Sequence, residues 1–490
     1  MNSPDEIPFN SFIELDRNSE TAIYLQLSNQ FAKAIQLGFL PAGTKLPGTR
    51  KLSLIFQLHR NTIVASLHEL EAQGWIEIIP NKGSFILNSA NKSFENSSNK
   101  KYSSLNLYPT KSGFEFEKSI LLDHPYEEFS ERLFLTDGTV DHRLTELKIP
   151  AKLYSSVLKR SSSIQKIKQN NNDYFLKNFA NYLNITRGLR IEKENILITR
   201  SFEISLSITS KIILKKDDFV AVTELSYYKS NMIFQSNQAK IIQIKQDEFG
   251  INIDHLRSIC NEKQIKILYL SPHQHYPTTV SLQSERKIEL LQLANEFGFV
   301  IIEDDYDFDF HYNHQPKLPL ASTDQHGMVI YTGKFGQYLA PGYRIGFVVA
   351  PKDFIEEAKK HLAILDQQVD PIIEQVLGEM IDEGDITRTL KKIRKTYKER
   401  RDYFCHHLYE SLHDKIDFTL PKGGLAIWIK FKQPINLMQL KKDCAIDGLF
   451  IPQTVLYQTK NITAMRVGFA HLNFEEIEEI ISILKKNINN

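Results

Sequence analysis

From about Phe129 to the end of the chain, short β-rich apolar runs alternate with amphipathic helical stretches, and this alternation limits the fold more than any other feature. "FVAVTE", "KIIQI", "IKILYLSP", "FVIIEDD", "VIYTG" and "RIGFVVAP" are the strand-like runs. "SERKIELLQLANEFG" reads as a helix capped by Ser284 and stopped by Gly298. Apolar strands separated by helices bury both their faces in an α/β sandwich with a largely parallel central sheet. The tail differs. "GGLAIWIKF" and "MRVGFA" predict a small second sheet from about residue 390, and Asn473 is placed to cap a last helix with Glu475 and Glu476 in its first turn and Lys485 and Lys486 in its last.

The first hundred residues read otherwise. "IYLQLSNQFAKAIQLGFL" has helical apolar spacing and ends at Gly38. Thr49 is a candidate N-cap for a short helix "RKLSLIFQ", and a second helix, "NTIVASLHELEAQG", carries Ile63, Leu67 and Leu70 on one side and closes on Gly74. "WIEIIPNKGSFIL" then alternates like two short strands about a turn at Asn81 to Gly83. Three helices and a hairpin in this order predict a winged helix-turn-helix over residues 12–87. A recognition helix reaches base edges with short polar or basic side chains near its N-terminus, and Arg60, Asn61 and Thr62 supply them. Arg50 and Lys51 open the preceding helix, where cations bond phosphates, and Lys82 tips the wing.

Residues 88–128 contain "NSANKSFENSSNKKYSSLN", which has too few apolar side chains to repay ordering, and are read as a flexible linker before the domain at 129–490. Composition narrows the function. The chain has 490 residues, and its 60 Lys and Arg against 59 Asp and Glu argue against a general nucleic-acid coat or membrane attraction. Three distant cysteines indicate neither a disulfide framework nor a metal knuckle. With a polar start and no apolar run approaching the roughly 20 residues that span a bilayer, a cytoplasmic protein without a membrane partner is expected.

These motifs carry two resemblances. The "LPGTRKL" turn, the "RNTI" segment and the "GSF" wing strand resemble the winged helix-turn-helix of GntR-type bacterial regulators. That implies double-stranded DNA as partner, with Arg50, Lys51, Arg60, Asn61, Thr62, Lys82 and Gly83 as contacts. One departure is His59, where a small Ser usually precedes the Arg. The larger unit is similar to fold-type I aminotransferases through "LTDGTVDHRL", "SPHQHYPTTV", "IIEDDYDFDF", "APGYRIGF" and "MRVGFAHL", and the pairing identifies the MocR subfamily. Pyridoxal phosphate is the cofactor that this resemblance implies, with no metal. Asp304 matches the carboxylate at its pyridine nitrogen, Tyr306 the phenol at its hydroxyl, and Tyr227 the region of the stacking aromatic. Arg344 matches the phosphate-binding arginine and Arg466 the arginine that grips a ligand carboxylate. A homodimer and an amino- or carboxylic-acid ligand are implied as well.

Against that pattern stands "YTGKFGQYL". The subfamily reads roughly "GTFSKTLFPGLRLG", so Gln337 stands under the lysine that bonds the cofactor and Gly336 under the serine. An amide does not condense with an aldehyde. Lys334 lies three positions earlier, about 10 Å of extended chain, and is expected to start from the wrong part of the loop. The phosphate cup, roughly "TSGAQQAL" in the family, is here "TRSFEISL", placing Ser201, Phe202 and Glu203 at a helix start that elsewhere receives an anion. A carboxylate about 4 Å from phosphate charge costs roughly 4 kcal/mol at an effective dielectric near 20. The sequence therefore leads to an internal pairing of Glu203 with Arg344 in place of phosphate, with Thr279 for the usual glycine as a third change. A DNA-binding regulator with a sensing domain free of transaminase chemistry is the leading reading. A working pyridoxal phosphate aminotransferase with a DNA-binding appendage, and a scaffold that only dimerises, are the alternatives.

Overall fold

The computed structural model describes residues 9, 13–17, 19, 21–80, 82–87, 111–123, 127–160, 173–312, 318–339, 343–366 and 370–489. Contacts divide the chain into two compact units, Met1–Phe116 and Glu117–Asn490. Most of the segment read as a linker, 88–110 and 124–126, lies outside the described residues. Glu127, also in that segment, accepts a hydrogen bond from the Gln453 backbone N–H at 2.7 Å and pairs with Lys441.

The first unit has helices α1 (Ile23–Gln36), α2 (Thr49–Phe56) and α3 (Arg60–Ala72), then strands β1 (Ile76–Ile79) and β2 (Gly83–Ile86). The strands pair antiparallel, with Ile76 opposite Ile86. The apolar stripes read from the sequence meet in one core: Leu27, Phe31 and Ile35 of α1, Leu52 and Phe56 of α2, and Ile63, Leu67 and Leu70 of α3 are all buried. Phe31 and Phe56 pack edge to face at 5.9 Å, which locks the first helix on the second. Between α2 and α3 the chain turns on Gln57 in the left-handed region (φ 52°).

The second unit is built on a seven-stranded sheet: β3 (Ile196–Thr199), β4 (Phe219–Thr223), β5 (Lys240–Ile244), β6 (Ile265–Leu270), β7 (Val300–Asp304), β8 (Val329–Phe335) and β9 (Ile345–Val349), in the order β3-β9-β8-β7-β6-β4-β5. Only β9 runs against its neighbours, β8 and β3. The runs read from the sequence form β4 to β9. The strand β3 was not singled out, because its three apolar residues and Thr199 merge into the cup motif that follows. Helix α4 (Phe202–Ile213) leaves β3, α5 (Tyr228–Ser236) follows β4, and α6 (Ser284–Phe297) precedes β7. Gly298 ends α6 with φ 69°, but Ser284 is its first helical residue and Gln283 holds the cap position without a side-chain bond.

The long helix α7 (Asp385–Leu412) leads to a four-stranded antiparallel sheet of β10 (Ile416–Phe418), β11 (Ala426–Phe431), β12 (Leu456–Gln458) and β13 (Thr463–Gly468), in the order β10-β11-β13-β12. The last helix, α8 (Phe474–Asn489), opens with a reciprocal cap: Asn473 Oδ1 accepts from Glu476 N at 2.8 Å, and Asn473 N donates to Glu476 Oε2 at 2.7 Å. Among the described residues no helix is long and apolar enough to cross a membrane. The carboxyl ends of β3, β6, β7 and β8 converge, the place where open α/β sheets form their crevices.

Candidate functional site

The reading face of the first unit is the start of α3. Arg60 and Asn61 are exposed and Thr62 is half-buried. His59 holds the cap position, and its Nδ1 accepts from the Asn61 backbone N–H at 3.3 Å. The substituted side chain thus takes over the bond that a small capping hydroxyl makes. Thr49, expected as a cap, is instead the first residue of α2 behind Gly48, and its Oγ1 accepts from Arg60 Nε at 3.3 Å. Arg50, Lys51 and Lys82 are exposed. Asn81, in the wing turn, lies outside the described residues. Gly83 has φ 116°, and a Cβ there would meet Lys45 Cε at 3.0 Å. Lys45, not singled out for this face, reaches the wing because it bridges to Phe85 and holds its ammonium 5.8 Å from that ring.

In the crevice Asp304 ends β7, where Tyr269 Oη donates to its Oδ2 at 2.6 Å. Burial pushes the Asp304 carboxyl up to about 7, against the pull of Tyr269 and Lys334. Tyr306 follows, half-buried, its ring 5.7 Å from that of Tyr276. Tyr227 stands just before α5, edge to face with Tyr276 at 5.0 Å. Asp304, Tyr306 and Tyr227 therefore line one crevice, together with Phe202, Lys334 and Gln337. Gln337 is half-buried there and makes no hydrogen bond among the described residues.

The phosphate end is rebuilt. Ser201 caps α4, with its Oγ accepting from Ile204 N at 3.3 Å, so one of the helix-start donors already has a partner. Phe202 is buried in the cup, only 1% exposed. Glu203 does not pair with Arg344. Its Oε1 lies 3.7 Å from Lys334 Nζ, and that ammonium also sits 5.6 Å from the Phe202 ring. Burial disfavours the Glu203 charge, but Lys334, a backbone N–H and Ser201 outweigh it and hold the carboxyl below its ordinary value. Arg344 is exposed, with no ion pair or hydrogen bond among the described residues.

Two expectations are thereby corrected, and strand register explains both. Lys334 is paired with Gly346 across β8 and β9, and a Cβ on Gly346 would lie 2.3 Å from the Ser201 carbonyl. A side chain level with Gly346 emerges beside the start of α4, so Lys334 does enter the crevice, at its phosphate end. Arg344 stands before β9 begins. Residues 340–342, within the "APGYRIGF" motif, lie outside the described residues. Arg200, next to Ser201 in the cup motif, pairs with Asp366 at 2.5 Å.

The loop backbone constrains positions 336 and 279 as well. Gly336 has φ 82° and leaves room for the Tyr343 carbonyl, which a Cβ would meet at 2.5 Å, so a serine there needs a different loop. Thr279 occupies the left-handed region (φ 59°), an unfavourable place for a β-branched residue. Arg466 is buried, 1% exposed, and three of its five N–H groups are engaged: Nε to the Asp137 carbonyl at 2.7 Å, Nη1 to the Pro277 carbonyl at 2.8 Å and Nη2 to Tyr306 Oη at 3.4 Å. These bonds hold the guanidinium against the Asp137 backbone and the Tyr306 ring. The cavity left in the crevice is about 20 Å³, the space of one water. Arranged this way, the residues do not fit pyridoxal phosphate: the ring-side groups are in place, but the phosphate end is filled and no amine stands at 337. Among the described residues no cluster of His, Cys, Asp or Glu is placed to hold a metal.

Residues 150–484 match the family described as aminotransferase class I and II. The chain belongs to that family. Residues 23–86 match the bacterial regulatory proteins of the gntR family, and this head on an aminotransferase body is the organisation of the MocR subfamily. The chain is 25% identical over 471 residues to the uncharacterized HTH-type transcriptional regulator YdfD of Bacillus subtilis, covering 96% of this chain and 97% of that one. It is 23% identical over 442 residues to the HTH-type transcriptional regulator NorG of Staphylococcus aureus, covering 89% and 98%. Among solved structures, the kynurenine aminotransferase of Pyrococcus horikoshii is similar in fold, with a TM-score of 0.66 at 24% identity over 74% of this chain and 91% of that one. Pyridoxal phosphate is the cofactor this aminotransferase family implies.

Proposed function

We propose that this chain is a transcriptional regulator whose aminotransferase-like domain senses a small molecule without covalent pyridoxal phosphate and without transaminase chemistry. The Lys334–Glu203 pair carries this reading: it puts an internal cation and anion over Phe202 in the cup, at 3.7 Å, while an amide stands at 337. On this reading Arg60, Asn61 and Thr62 read bases, and Arg50, Lys51, Lys82 and Gly83 hold the DNA backbone. The acting species is a homodimer, as the family implies; a monomer in sedimentation that retains full operator affinity is the contrary result.

The aminotransferase reading keeps one specific support, since Lys334 brings an amine into the crevice. Adding pyridoxal phosphate, reducing with borohydride and locating any adduct by peptide mass spectrometry separates the two readings. No adduct is expected on the unaltered protein. Gln337→Lys alone is expected to stay weak in cofactor binding, whereas Gln337→Lys with Lys334→Thr and Glu203→Gln gains affinity. An adduct on Lys334 of the unaltered protein sinks the proposal.

A further inference from the structure

Tyr227 lines the crevice, and the side chains grouped around it carry a recognition chemistry of their own. Asp137 is half-buried and accepts a hydrogen bond from Tyr276 Oη at 3.3 Å. Tyr276 is edge-on to Tyr227 at 5.0 Å and to Tyr306 at 5.7 Å, and Tyr227 is edge-on to Tyr228 at 5.5 Å. These rings and Tyr457 surround the carboxylate closely enough that, on top of burial, its charge pushes each of the five phenols up.

The Asp137 carboxylate has no basic side chain within 4.0 Å among the described residues. Arg466 holds the Asp137 main-chain carbonyl and faces Asp307 at 4.0 Å. That guanidinium lies 4.8 Å from the Tyr276 ring and 5.4 Å from the Tyr306 ring, so the same ring system already carries one cation on its faces. Asp304 and Asp307 line the crevice that Tyr227 also lines.

We propose that Asp137, with Tyr227 and Tyr228, forms the site of an organic ammonium ligand. The ammonium N–H groups donate to the free Asp137 oxygen, and the apolar stem lies against the half-buried rings of Tyr227 and Tyr228. This replaces the carboxylic-acid ligand class, and it rests on the domain being a sensor that leaves a ligand amine unreacted.

The test is calorimetric and thermal titration of the full chain, without added cofactor, with phenethylammonium, tetramethylammonium and 3-phenylpropanoate. Saturable binding and a rise in melting temperature are expected for phenethylammonium and none for 3-phenylpropanoate. Asp137→Asn weakens phenethylammonium about tenfold or more, which is about 1.4 kcal/mol. Tyr228→Leu, a half-exposed position, weakens it severalfold and serves if Asp137→Asn folds poorly. Tetramethylammonium, which has no N–H to donate, binds more weakly and loses less on Asp137→Asn. The site is overturned by equal affinity for the carboxylate, by no binding up to about ten millimolar amine, or by undiminished affinity in both variants. The outcome is independent of the borohydride result, which alone bears on covalent cofactor, so the failure of either reading is recognised separately.

Discussion

The DNA-reading head and the effector crevice both depart from their family patterns, and they absorb the departures differently. In the head, His59 replaces a small residue and its ring nitrogen serves the same backbone N–H, so the partner is unchanged. In the crevice, two residues that depart from the pattern serve one another: Lys334 and Glu203 meet at 3.7 Å beside the start of α4. A substitution that keeps its partner preserves a site, whereas a set that supplies its own partners replaces the ligand. The ring side of the crevice shows the intermediate case, with Asp304 retained and Tyr269 as its hydrogen-bond donor.

The largest expected effect tests that retained carboxylate. A buried acid whose folded value is raised to about 7 binds its proton more tightly folded than unfolded. Stability contributed this way is present below the unfolded value near 4, falls as pH rises to about 7, and is absent above. Asp304→Asn keeps an acceptor for Tyr269 and removes the charge. It should stabilise the domain above pH 7 by up to about 4 kcal/mol at 1.36 kcal/mol per unit, with no gain below pH 4. Urea melts from pH 4 to 8 measure this. Destabilisation at pH 8 means that Asp304 has a cationic partner there after all.

On the head, Arg60→Ala should cost about 1–3 kcal/mol of operator binding and relax base preference while leaving the melting temperature within a degree or two. Arg50→Ala should weaken operator and random DNA alike and flatten the salt dependence. If Arg60→Ala still discriminates operator from random DNA, the recognition helix has been misassigned.

How much of this was legible in the sequence follows from how far apart the partners are. Strands β4 to β9 and the helices of the head show in their own apolar spacing, because each element carries its pattern locally. That Gln337 belongs to the crevice was legible as well, since Gly333 and Gly346 frame its loop without a gap. The reach of Lys334 was not. Distance measured along the chain missed that register sets it level with Gly346, which touches the backbone of Ser201. The engagement of Arg466 was hidden in the same way, because its acceptors, Asp137 and Pro277, are 329 and 189 residues away. Asp137 itself gave no signal as a site, being one acid in a turn until Tyr276 is folded against it.

A smaller effect sharpens the crevice side of the comparison. Both members of the Lys334–Glu203 pair are about a third exposed, so their coupling should be about 1 kcal/mol after screening. Because the Glu203 carboxyl is lowered, its contribution is present above its ordinary value near 4.5 and is lost as pH falls through the folded value. Lys334→Met and Glu203→Gln should each remove that acid-side dependence, and the double variant should lose less than their sum. Full additivity in a double-mutant cycle means that the two side chains do not act on each other.

The smallest effect belongs to the head and asks whether His59 is a true replacement. Neutral imidazole accepts the Asn61 N–H through a lone pair on Nδ1, as a serine hydroxyl does with its oxygen, so His59→Ser should change stability by a few tenths of a kcal/mol at most. His59→Ala removes the acceptor and should cost about 1 kcal/mol, read as earlier melting of the head and faster amide exchange at the start of α3. If serine and alanine prove equal, the ring at 59 is not the acceptor that holds the start of α3, and the head has exchanged its partner as well.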